Sequence, residues 1–127
     1  MAKNLLTGEK VAIKKQDVSE LTAEEIYNIS REAILLESLK HRNIIKFINS
    51  YTYENEFYTV MECARGGELG TYLRNKQILS EWESRRIFKQ LHEAVRYIHS
   101  RSVVHRDLKP NNILFLDPEY ENLVVIF

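Results

Sequence analysis

Little in this sequence favours an extended or loosely held chain. Four glycines and two prolines among 127 residues exclude collagen-like repeats and Pro/Gly-rich disorder. The one cysteine, Cys63, has no partner for an internal disulfide and forms no CxxC pair for zinc or redox chemistry, so a buried or half-buried thiol in a reducing compartment is expected. Net charge is also absent: 18 Lys and Arg balance 18 Asp and Glu, which removes the electrostatic case for nucleic acid as main partner. The longest apolar run, Leu123 to Phe127, is far too short to span a bilayer, and no signal-peptide stretch follows Met1-Ala2-Lys3-Asn4. These absences lead us to expect a soluble chain with no membrane or nucleic-acid partner, cytoplasmic or also nuclear. What is present is 44% hydrophobic residues, enough for a core, in a length typical of one ordinary domain.

The pattern changes character along the chain. Thr7-Gly8-Glu9-Lys10 reads as a turn and not a phosphate loop, because no glycine stands five positions before the Gly-Lys pair that such a loop requires. Val11-Ala12-Ile13-Lys14 alternates as a strand with two differently used faces. Thr22-Ala23-Glu24-Glu25 is a capping box, with Leu21 and Ile26 spaced for a hydrophobic staple, and predicts a helix to about Lys40. Ile26, Ile29, Ala33 and Leu36 mark its buried stripe, and Glu32 falls on that same stripe. A carboxylate aimed at a core is costly unless a cation meets it. Residues 44 to 48 and 56 to 62 read as strands around a polar Tyr53-Glu54-Asn55 turn, followed by a linker with Gly66-Gly67. Thereafter the chain reads as helical: a short piece from Glu68 to Arg74, then a second capping box, Ser80-Glu81-Trp82-Glu83. That box opens a helix whose stripe is Ile87, Phe88, Leu91, Ala94, Val95 and Ile98. An irregular polar segment (102 to 112), a strand (113 to 116), an Asp117-Pro118 turn and a last strand (123 to 127) complete the chain. Strands first and helices second predict an α+β protein of two lobes, residues 1–64 and 65–127.

The chemistry concentrates in His105-Arg106-Asp107-Leu108-Lys109-Pro110-Asn111-Asn112. Phosphoryl transfer needs a carboxylate to orient and deprotonate the acceptor hydroxyl, a cation on the moving phosphate and an oxygen ligand for magnesium. Asp107, Lys109 and Asn112 match those three tasks, on a loop that Pro110 keeps out of helix. The octapeptide resembles the catalytic loop of protein kinases, in its serine/threonine version. Val11-Ala12-Ile13-Lys14 is similar to the kinase strand bearing the phosphate-binding lysine; strand rise puts Ala12 and Lys14 about 6 to 7 Å apart on one face. Alone, such a lysine is as often a solvated edge residue. Arg31-Glu32 resembles the helix segment whose glutamate pairs with that lysine, so a Lys14–Glu32 ion pair is expected.

Further assignments follow from the resemblance alone. Tyr58 to Ala64 is similar to the strand and linker that receive adenine, which implies Met61 behind the base and the main chain of Glu62 and Ala64 at its edge. Leu114 would lie against the base opposite Ala12. Glu68 matches a position that touches the ribose or a basic substrate residue, and Asn111 stands where an acidic residue is common in kinases preferring basic substrates. Arg106 beside Asp107 resembles kinases switched on by activation-loop phosphorylation. His105 is read as a packing element, and His41, His92 and His99 lack metal-ligand spacing.

The resemblance implies a two-lobed protein kinase-like fold, truncated at both ends: no G-x-G-x-x-G precedes residue 11, and the sequence stops before the expected Asp-Phe-Gly. It implies ATP and Mg2+, a protein Ser/Thr hydroxyl as acceptor, and an isolated fragment with little or no activity. The contrasting expectation is a non-catalytic, kinase-derived piece that docks to a regulatory protein partner through exposed apolar faces. A small-molecule phosphotransferase fits less well, because Lys109-Pro110 after Asp107 is the protein-kinase form.

Overall fold

The computed structural model describes residues 2, 3, 5 and 7 to 127; Met1, Asn4 and Leu6 lie outside the described residues. The chain divides into two compact units, one built from residues 1–40 and 46–63, the other from 41–45 and 64–127.

The first unit is a four-stranded antiparallel sheet with one helix. Its strands β1 (Ala2–Lys3), β2 (Lys10–Asp17), β3 (Phe47–Tyr53) and β4 (Glu56–Glu62) lie in the order β1-β2-β4-β3. Gly8, at φ 75, takes the left-handed conformation between β1 and β2 that a side chain would resist. Strand β3 begins later than the sequence predicts. Ile44 and Ile45 are apolar and buried, but their main chain serves the second unit, where Ile45 N–H donates to Val125 O at 3.0 Å. The ladder instead takes up Asn49 to Tyr53, whose polar composition hid them, and Tyr51 stacks on Tyr58 with ring centroids 5.0 Å apart.

Helix α1 (Ala23–Ser38) starts where the capping box demands. Glu25 N–H donates to Thr22 Oγ1 at 3.3 Å, and Thr22 N–H donates back to the Glu25 carboxylate at 2.8 Å. Ala33 and Leu36 are buried as expected. Ile26, expected on the buried stripe, is 36% exposed, because the first turn runs beyond the cover that the later turns receive.

In the second unit, β5 (Gly67–Glu68), β6 (Ile113–Phe115) and β7 (Leu123–Val125) form a three-stranded antiparallel sheet. All three residues of β7 are buried, which explains its unalternating apolar sequence. Helix α2 (Leu69–Lys76) follows β5, and α3 (Glu81–Ser100) opens on the second capping box, with Glu83 N–H donating to Ser80 Oγ at 3.2 Å. Ile87, Ala94 and Ile98 of α3 are buried, whereas Phe88, expected on the same stripe, is 70% exposed. It belongs to an apolar groove of about 390 Å³ with Leu69, Leu73, Leu91 and Leu108. Gly66 is needed for close approach: a Cβ there would stand 2.1 Å from Asp117 O and 2.5 Å from Phe115 Cβ. No helix among the described residues is long and apolar enough to cross a membrane.

Candidate functional site

Lys14 stands in β2 on the same face as Ala12, and Ala12 lies directly opposite Met61 in β4. One helix away, Glu32 is the tenth residue of α1. Lys14 Nζ donates to Glu32 Oε1 at 2.8 Å, so the expected ion pair is present in the first unit. Its side chains are 39% and 43% exposed, so Glu32 is not the deeply buried carboxylate that its helical register suggested. The pair therefore adds little to stability and is available for chemistry. At the end of β4, Glu62 is committed twice to the same neighbour: its N–H donates to Lys46 O at 3.0 Å, and its carboxylate accepts from Lys46 N at 2.7 Å.

The second unit carries a separate polar cluster on the segment between α3 and β6. Pro110 opens a single 3-10 turn, Pro110–Asn112, which brings the end of the octapeptide back on its middle. Asp107 Oδ2 accepts from Lys109 Nζ at 2.7 Å and from Asn112 Nδ2 at 2.8 Å; the same Nδ2 also donates to Asp107 O at 2.8 Å. Asn112 is fixed through its main chain too, since its N–H donates to Lys109 O at 2.9 Å and its carbonyl accepts from Ile126 N–H at 3.0 Å. With Nδ2 turned to Asp107, the amide presents Oδ1 on its other side, the atom a hard cation would use. The Lys109 ammonium, then the Asn112 amide, hold the Asp107 carboxyl below the usual aspartate range, so it is an anion at any pH at which the protein would act.

Glu68 and Asn111, two positions singled out in the sequence, meet: Asn111 Nδ2 donates to Glu68 Oε2 at 2.8 Å. Leu114 lies in β6 between buried Ile113 and Phe115 and pairs with Glu68 and Val124. Ala64, in the linker before β5, is partly exposed. No group of three or more His, Cys, Asp or Glu side chains among the described residues forms a metal site by itself.

Sequence reasoning missed the buried polar network that ties residues 41–45 to β7. Asn43 is 3% exposed; its Nδ2 donates to Leu123 O at 2.8 Å and to Gln90 Oε1 at 3.1 Å, and its carbonyl accepts from Val125 N–H at 2.9 Å. Gln90 then accepts from Leu123 N–H at 3.0 Å and donates to Glu121 O at 2.8 Å. A buried asparagine looks in sequence like any loop asparagine, and only its partners, 47 residues away at Gln90 and 80 at Leu123, reveal the role.

An ion-paired strand lysine in one unit and, in the other, a loop aspartate held by a lysine and an asparagine are groups of the kind that phosphoryl transfer uses for positioning and charge. The chain belongs to the protein kinase family: the protein kinase domain model matches residues 1–125. Among curated relatives, CBL-interacting protein kinase 11 of Oryza sativa subsp. japonica is 44% identical over 127 residues, an alignment covering 98% of this chain and 24% of that protein. The chain thus spans about a quarter of the length of that relative.

Proposed function

We propose that this chain carries the catalytic residues of a serine/threonine protein kinase, which transfers the γ-phosphoryl of ATP to a protein hydroxyl. The observation that carries the reading is the Asp107, Lys109 and Asn112 cluster. Asp107, kept ionised, accepts the hydrogen bond of the incoming hydroxyl and aims its oxygen at phosphorus. Being a weak base, it takes the proton late, when bond formation has made that hydroxyl acidic. Lys109 moves from Asp107 to the transferring phosphoryl as charge builds there.

Lys14, oriented by Glu32, binds phosphate oxygens of the nucleotide, and the small Ala12 opposite Met61 offers a flat apolar contact for the base. The main chain of Glu62 and Ala64, and the side chain of Leu114, are the remaining proposed nucleotide contacts. Magnesium suits Asn112, a hard oxygen donor, and would draw most of its other ligands from phosphate and water, as this ion commonly does. When bound, it would neutralise phosphate charge. Asn112 is the one donor assigned to it, so these 127 residues tested alone are expected to transfer slowly or not at all.

The Glu68 carboxylate, already engaged by Asn111, supports a weaker preference for basic substrates than two acidic residues would give. A regulatory protein partner, of the kind that the rice relative's name records for that protein, and a cytoplasmic location belong to the same proposal.

The test is a peptide and protein phosphorylation assay on a longer polypeptide containing these residues, wild type against Asp107→Asn. The expected fall in kcat is about 10²- to 10⁴-fold, at unchanged thermal stability. Equal rates, or phosphorylation of small alcohols in preference to protein, would overturn the reading. Robust Asp107-dependent transfer by the 127 residues alone would overturn the expectation that they are nearly inactive.

A further inference from the structure

We propose that a concavity on the second unit, between α3 and the turn joining β6 to β7, is a docking site for an acidic peptide segment of a partner protein. A carboxylate of that segment is anchored on Arg86, and the main-chain N–H beside it on Asn43. The concavity has a volume of about 390 Å³. Asn43 and, from α3, Arg86, Lys89 and Gln90 form one part of its wall, and Leu116 and Glu121 of the turn form another. None of these residues belongs to the set assigned to phosphoryl transfer, so the site stands whether or not the kinase reading holds.

Two buried side-chain atoms among the described residues lack a hydrogen-bond partner, Asn43 Oδ1 and Arg86 Nε, and both residues line this one concavity. Asn43 is 3% exposed and spends its Nδ2 on Leu123 O and Gln90 Oε1, which leaves Oδ1 as its open acceptor. Arg86 donates from Nη2 to Tyr120 O at 2.9 Å, and its guanidinium lies 4.9 Å from the centroid of the Trp82 ring, which leaves the Nε–H unmet. A buried donor without an acceptor is costly, the more so on a charged group. Buried polar groups of native proteins nearly always have partners, so two orphans at one concavity point to an occupant that brings an acceptor and a donor together.

Charge says what the acceptor is. The Glu93 carboxylate is spent on Arg42, whereas Arg86 and Lys89, one turn apart on α3, have no ion-pair partner among the described residues. Against these two cations the lining leaves Glu121 alone, so an anion is welcome. A carboxylate matches the flat edge of a guanidinium. The second orphan narrows the choice further. An anion without an N–H would leave Asn43 Oδ1 unpaired and set its charge against Glu121 with nothing in return. In an acidic residue of a peptide the main-chain N–H stands beside the carboxylate, and one residue serves both atoms. Trp82, 67% exposed and held against Arg86, offers an apolar contact to the residue that follows the acid. The small surplus of positive charge does not suit nucleic acid, which calls for many cations.

The test titrates the 15N-labelled 127-residue chain with a capped tripeptide of glycine, glutamate and phenylalanine, with its glutamine counterpart, and with sodium acetate. At millimolar concentration the glutamate peptide is expected to shift the Arg86 Nε–H and the Asn43 side-chain amide resonances. Affinity should be about tenfold weaker for the glutamine peptide, and likewise for the glutamate peptide on Arg86→Gln. On Lys89→Gln, an exposed position whose exchange leaves the fold intact, it should be about threefold weaker. Equal affinity for the two peptides, equal binding by wild type and Arg86→Gln, or no shift at either residue would overturn the proposal, the last leaving water as the occupant. Acetate binding as tightly as the glutamate peptide would also overturn it, since the site would then hold a bare anion only. Should Arg86→Gln fail to fold, the glutamine peptide and Lys89→Gln decide it.

Discussion

At Asp107 the neighbouring charges set the chemistry before any substrate arrives. Lys109 and Asn112 keep the carboxyl ionised and occupied; on the proposed reading an acceptor hydroxyl would compete for it, and Lys109 would let go as transfer proceeds. Lys14 and Glu32 act differently, because their half-exposed pair contributes less than about 1 kcal/mol to folding while fixing where an ammonium points. Glu32→Ala should therefore leave the urea midpoint nearly unchanged yet weaken ATP binding roughly tenfold, the size of one charge-assisted hydrogen bond. Equal affinities measured calorimetrically for the two proteins would refute this. Glu83 offers a test by pH. Lys76 first, then the main chain and hydroxyl of Ser80, hold its carboxyl at about 2, against 4.5 for an unpaired glutamate. The folded value is the lower one, so between these values the unfolded chain binds more protons. The stability from this group is complete above pH 4.5 and is lost as pH falls through about 2. Urea midpoints taken across that interval should decline more steeply for wild type than for Glu83→Gln.

Elements obeyed the sequence where the signal was local and escaped it where the signal was distant. Both capping boxes start their helices at the positions read from four consecutive residues, Thr22 to Glu25 and Ser80 to Glu83. Thr22→Ala should cost about 1 kcal/mol in denaturant unfolding by releasing the first turn of the helix that carries Glu32. The polar cluster of the octapeptide was legible for the same reason, since Asp107, Lys109 and Asn112 lie within six residues and meet through one turn. Strand β3 was misplaced because Ile44 and Ile45 carry the hydrophobicity of a strand but spend it in the other unit, while Asn49 to Tyr53 carry the ladder with polar side chains. Phe88 shows a further limit: helical spacing tells which residues share a face, and not whether anything covers that face. Gly66 could not be read as special, because the requirement comes from Asp117 and Phe115, about fifty residues on; Gly66→Ala should destabilise by roughly 1–3 kcal/mol, visible as a lowered melting temperature.

For the molecule as a whole, the apolar groove around Phe88 governs behaviour in solution. The polypeptide should bind a hydrophobic dye and associate with itself at micromolar concentration, and Phe88→Ser should reduce both, as light scattering would report. The route of the chain matters in another way. It leaves the first unit after residue 40, contributes five residues to the second, returns at 46 and departs again after 63. Those five residues are joined to Leu123 and Val125 by hydrogen bonds that close loops of about 80 residues. During synthesis, residues 41–45 emerge long before their partners, so Asn43 must wait with its amide hydrated until about 80 further residues have been made. Closing so long a loop is slow in entropic terms. Nascent chains should thus be more vulnerable to proteases and to chaperone capture before β7 appears than after it, and the completion of that one short strand, not the formation of either capped helix, should time the closure of the second unit.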